Sequence, residues 1–251
     1  MPAKLYSIPG SHPAMAGRLM LERKGIPYKR VDLIAAAHKP ILKALRFSGS
    51  TVPAIKLEDG RKIQGTREIA RVLDEIVPEP PLFPADPEAR AKVEEAERWG
   101  DEVLQSMPRR IAWQAIDRNR EGMAGFLEDA KLPVPKGLAL KTAGPIIKAE
   151  QKINNSTEDT VRADLAALPG AIDKVDAYIA DGVLNGAEPN AADYQIAVST
   201  RLLLNFEDLA PLLEGRPAAD HARRIVPDFP GHVPPALPAD WLAPVVAATA
   251  S

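Results

Sequence analysis

The residues best placed to do chemistry gather in one stretch, Ser50 to Thr66, STVPAIKLEDGRKIQGT. Pro53 cannot donate a ladder hydrogen bond, so at the mouth of a strand it leaves the amide and carbonyl of Val52 free for another partner. A cis bond at Pro53 would mark a feature the fold has kept for a purpose. After Gln64, Gly65 and Thr66 come Arg67, Glu68 and the helically spaced Ile69, Leu73, Ile76 and Val77, so Thr66 is the expected N-cap of a helix. Backbone N–H groups at such a start suit a carboxylate or another anion. The stretch therefore offers an edge for an extended ligand and, a few residues on, a seat for its charge.

A hairpin is what brings edge and seat together. Ala54, Ile55 and Leu57 form a short apolar run, Glu58, Asp59 and Gly60 carry turn chemistry, and Lys62 and Ile63 restart extended structure. Upstream, Lys4 to Ser7 reads as a strand, Ile8 to Ser11 as a loop, and Pro13 as the first position of a helix that stops at Gly25. Tyr28 to Leu33 gives a second strand and Lys39 to Leu45 a short helix. The order is strand, helix, strand, helix, strand, strand, helix. Its parallel pair crosses over right-handed and an antiparallel hairpin completes the sheet.

Glu79, Pro80 and Pro81 break the helix, and the expected organisation is a first domain over 1–78, a linker over 79–86 and an all-helical domain over 87–251. Asp86 as cap, Pro87 and Glu88 announce a long helix whose apolar positions run to Ile111 and which Pro108 should bend. Further helices are expected over 121–131, 136–153, 158–181, 190–206 and 217–225. Asn190 and Asp193 have capping-box spacing, a folding device whose loss costs on the order of 1 kcal/mol or more. Pro227 to Trp241, PDFPGHVPPALPADW, is too rich in proline for a helix and should drape over the body as a strap.

Composition narrows the function. With 32 basic and 34 acidic residues and no long basic block, neither nucleic acid nor an anionic membrane is an expected partner. The chain has no cysteine, which excludes disulfides, thiolate zinc sites and a cysteine nucleophile. The four histidines, 12, 38, 221 and 232, are spaced too widely for a metal cluster. No apolar run reaches the ~18 residues of a span and the start lacks a signal-peptide layout, so a cytoplasmic protein is expected.

Taken in order, these residues resemble a family. Leu5-Tyr6-Ser7, Pro9-Gly10-Ser11 and Arg18 to Tyr28 are similar to the opening of bacterial, serine-type glutathione S-transferases. So are Val52-Pro53-Ala54-Ile55, then Ile69 to Glu75, and Gly186 with Pro189 to Asp193. The resemblance runs from about residue 4 to 210. It implies a thioredoxin-like N-terminal domain with a cis Pro53, a C-terminal helical bundle, a thiol co-substrate in the cleft, no metal, and a homodimer.

The resemblance also assigns roles. Ser11 falls where serine-type members keep the hydroxyl that donates to the co-substrate sulfur, and a hydroxyl at the positive end of a helix would favour the thiolate. The alternatives are that Ser11 is a turn serine capping that helix, or that Tyr6 is the donor. Val52 and Pro53 would receive the thiol's main chain and Thr66 its γ-glutamyl carboxylate, while His38 and Lys39 lie near the grip on the glycyl carboxylate or are a solvated loop pair. Gly65 departs from the family's acidic residue, and Gln64 offers only a neutral acceptor, so the site is atypical and the co-substrate is glutathione or another low-molecular-weight thiol. Met107, Arg109, Arg110 and Trp113 cluster at the expected bend. Of these, Met107, Arg110 and Trp113, with His12, are the candidate contacts to the electrophile. The function implied is transfer of a bound thiolate to a small electrophile, with a non-catalytic binding protein on the same fold as the alternative.

Overall fold

Adjacent side chains in a strand point to opposite faces, and in β1 (Ala3–Ser7) this sends Leu5 into one core and Tyr6 into another. β1 lies parallel to β2 (Tyr28–Asp32) and antiparallel to β3 (Ala54–Lys56), which pairs with β4 (Lys62–Gln64), giving the mixed order β2-β1-β3-β4. The helix α1 (His12–Arg23) makes the crossover, α2 (His38–Ala44) follows β2, and α3 (Thr66–Ile76) follows the hairpin. This is a thioredoxin-like domain, as the resemblance implied. The coordinates are a computed structural model that describes residues 2–132 and 134–249.

The remaining elements are helical: α4 (Pro87–Trp99), a π-helical turn (Gly100–Leu104), α5 (Ser106–Arg118), α6 (Glu121–Phe126), α7 (Lys136–Lys141) and α8 (Ala143–Ile153). They continue with α9 (Glu158–Ala180), α10 (Ala191–Leu203), α11 (Ala210–Leu213), α12 (Pro217–Ile225) and α13 (Ala239–Thr249). Helix α10 is the axis: all of its residues but Arg201 are buried, and it packs on α1, α4 and α12. Its capping box forms as expected, and Asp193 additionally accepts from the Asn185 amide at 2.8 Å and meets His221 Nε2 at 2.7 Å.

Three expectations differ in detail. The irregularity assigned to Pro108 falls one turn upstream, in the π turn ending at Leu104, whose carbonyl is the one a proline ring at i+4 crowds. Gly100 opens that turn, and a Cβ there would come within 2.8 Å of Ile196 on α10. The expected helix over 136–153 is two helices divided at Thr142. Beyond the strap, which is held by Asn205 Nδ2 on the carbonyls of Pro230 and Gly231 at 2.9 and 2.7 Å, the chain returns to helix as α13. Trp241 opens the buried face of α13 and lies under the guanidinium groups of Arg118 and Arg162. Among the described residues no helix is long and apolar enough to cross a membrane.

Candidate functional site

Ser11 caps α1: its Oγ accepts from the Ala14 amide at 3.3 Å, and Pro13 occupies the first turn. A hydroxyl that accepts at a cap still has its hydrogen to give. Ser11 opens onto a cavity of about 680 Å³ between the two halves of the chain, a size that suits a small molecule. The same cavity is lined by Val52, Pro53, Gly65 and Thr66 from the hairpin, His38 and Lys39 from α2, and Trp113 from α5.

The hairpin presents its edge as expected. Val52–Pro53 is cis, and neither the amide nor the carbonyl of Val52 makes a hydrogen bond among the described residues. The Pro53 carbonyl accepts from Gly65 at 3.0 Å, which ties the edge to the start of α3. The cap of α3 is Gly65, however, and Thr66 is its first helical residue. Gly65 has φ +85° and ψ 143°, a conformation that belongs to glycine.

The Thr66 hydroxyl donates to Gln195 Oε1 on α10, buried between the halves. Gln195 Nε2 donates to Gln105 Oε1 at 2.9 Å, and Gln105 Nε2 to Asp101 Oδ1 at 3.2 Å. Thr66 thus gives its one proton to the domain interface. Burial raises the pKa of Asp101, which faces the cavity beside this chain of amides.

Other candidates fall elsewhere. Tyr6 packs edge-on against Phe47 in the small core with Leu33, Leu42 and Ala54, and does not line the cavity. Burial also raises its pKa. Gln64 is spent on the loop before the hairpin, accepting from the Gly49 amide at 2.7 Å and donating to the Thr51 carbonyl at 2.6 Å. Met107 is core, and Arg110 forks onto Asp164 of α9 at 2.6 and 2.5 Å. None of these four side chains reaches the cavity wall.

His12, the first residue of α1, does line the cavity. Its Nε2 donates to the Gln105 carbonyl at 3.1 Å, and burial, then the nearby Arg109 cation, hold its pKa well below the ordinary 6.5. His38 is likewise depressed by burial, against the pull of Glu150, whose Oε1 lies 3.6 Å from Nδ1. A neutral His38 offers a ligand carboxylate a hydrogen bond at most. The Lys39 side chain makes no ion pair or hydrogen bond among the described residues.

Arg109, named in the cluster at the expected bend, does line the cavity, and Asp101, Glu150 and Phe126 join it without a signal in the sequence reading. Helical geometry held part of the signal: at 100° per residue Arg109 and Ile116 lie within about 60° of Trp113, whereas Met107 is about 120° away on the other side. What the spacing lacked was Asp164, which draws Arg110 off that face.

Residues 5–81 match the glutathione S-transferase N-terminal domain family. A comparison with curated protein sequences gives no match. Among solved structures, a glutathione S-transferase from Rhodospirillum rubrum aligns at 19% identity and TM-score 0.58, covering 96% of this chain and 99% of that one. Glutathione S-transferase I bound with lactoylglutathione aligns at 16% identity and TM-score 0.62, covering 99% and 100%. FzlA from C. crescentus aligns at 18% identity and TM-score 0.58, covering 97% and 99%. At these identities the likeness establishes architecture. Residues 5–81 thus carry the signature of a glutathione S-transferase N-terminal domain, and the whole chain takes the glutathione S-transferase fold.

Proposed function

We propose that this chain is a thiol transferase that presents a bound low-molecular-weight thiol, glutathione or a relative, to a small electrophile. The observation that carries this reading is the convergence of the Ser11 cap, the open Val52 backbone and the apolar wall around Trp113 on one cavity. The thiol's main chain pairs with Val52. Its sulfur receives the Ser11 hydrogen bond at the positive end of α1, which favours the thiolate as its proton leaves to water. The sulfur then forms its bond to the electrophilic carbon, and the leaving group departs with its electron pair.

A second reading, a ligand-binding protein without turnover, draws support from the hairpin. Gly65 supplies no carboxylate for an α-ammonium group, and the Thr66 proton is committed to Gln195. Titration calorimetry with glutathione and other cellular thiols separates the two. The transferase reading expects saturable binding of at least one thiol that Ser11→Ala leaves in place while turnover falls. Indifference to every thiol leaves the binding protein.

A further inference from the structure

Two cations of the cavity wall, Arg109 and Lys39, make no ion pair among the described residues. Arg109 of α5 lines the cavity together with Ala112, Trp113, Ile116, Phe126 and Leu138, and its side chain makes no ion pair or hydrogen bond among the described residues. Its neighbour Arg110 has a carboxylate of its own in Asp164. The two acids of the cavity wall accept their hydrogen bonds from other groups. Glu150 accepts from the Ala36 amide at 2.5 Å and from Asn154 Nδ2 at 2.9 Å, and Asp101 accepts from Gln105. Both attract Arg109 only through space, and burial with the Arg110 charge depresses its pKa. A guanidinium that lines a cavity with no hydrogen-bonded acceptor keeps its N–H donors for a ligand.

We propose that this cavity selects apolar molecules that carry a carboxylate, the carboxylate forked on Arg109 and the apolar body lying along Trp113, Ile116 and the helices α6 to α8. The planar guanidinium matches a carboxylate in two parallel hydrogen bonds. Lys39 is the other unpaired cation of the wall, but it belongs to α2 on the thioredoxin-like side, with the thiol edge. The selectivity deepens the reading of the cavity as the acceptor half of a thiol transferase, and as a statement about the electrophile it rests on that reading.

The test is calorimetry of the full chain with decanoate and with decanol, which share an apolar body and differ in charge. The wild type should bind decanoate about 10-fold more tightly or better, the worth of one charge-assisted contact. Arg109→Ala should erase that preference while leaving decanol binding and the melting temperature unchanged, and Arg109→Lys should restore part of it. Equal affinities in the wild type, binding of neither molecule, or a preference that survives Arg109→Ala overturns the proposal. Thiols titrated into the same samples keep the two ideas apart. A decanoate preference without thiol binding sinks the transferase and leaves the carboxylate site, and thiol binding without the preference does the reverse.

Discussion

Ser11 has one hydrogen to give and one lone pair already committed to the Ala14 amide, so capping and sulfur activation are compatible roles rather than rivals. They separate on mutation. Ser11→Ala removes both and should lower thiol-dependent turnover by about 10-fold or more together with about 1 kcal/mol of stability. Ser11→Asp caps as well as serine but has no proton to offer and sets a negative charge beside the sulfur. Thermal melts should find it as stable as the wild type, and kinetics should find it at least as impaired as the alanine variant. Gly65 poses the opposite problem. The missing acid could be restored by Gly65→Glu, and nothing stands within 4 Å of the new Cβ, but φ +85° makes any side chain strain the backbone by about 1–3 kcal/mol. The expected outcome is a lower melting temperature with roughly 10-fold tighter glutathione binding by calorimetry; a fall in stability with no gain in affinity would mean a cavity shaped for a different thiol.

Elements, unlike single side chains, announce themselves through neighbours in sequence, and that decides what was legible. The Asn190–Asp193 box and the hairpin turn at Gly60 are local chemistry and form where the residues put them, while α1 starts one residue ahead of the expected Pro13, at His12 behind the Ser11 cap. The π turn at Gly100–Leu104 was hidden because its cause, Pro108, acts on a carbonyl a turn away, and α13 because the strap's prolines mask a helix that tolerates Pro244. The link from α1 to the π turn through His12 and the Gln105 carbonyl is invisible in sequence, since 93 positions separate the partners. That link has a pH signature. A histidine held neutral in the fold but titrating at 6.5 when unfolded stabilises the native state above that pH, and the benefit is lost as the pH falls, because the unfolded chain gains a proton the folded one refuses. The slope from this group is bounded at about 1.4 kcal/mol per pH unit. His12→Gln keeps a donor without a titration, so melts between pH 7 and 5 should fall less steeply for the variant than for the wild type.

At the scale of the whole molecule the cleft is as much a seam as a site. Across it, buried Glu97 of α4 meets Arg71 of α3 at 2.8 Å. Thr66 lies on the same seam, 129 positions from Gln195, which is why a hydroxyl that resembles a ligand contact in sequence turns out to be shared with the helical half. The two roles make opposite forecasts for Thr66→Val, which keeps the shape and removes the proton. A hydroxyl that belongs to the ligand would cost thiol affinity and leave folding alone. A hydroxyl that belongs to the seam leaves Gln195 Oε1 buried without its donor, a loss of about 1–3 kcal/mol, while the backbone N–H groups of α3 still receive the anion. We expect the second pattern: a lower melting temperature with thiol dissociation constants unchanged within about twofold, since no ligand contact is lost. A stable variant with weakened thiol binding would return Thr66 to the ligand and detach the two halves of the fold from one another at this point.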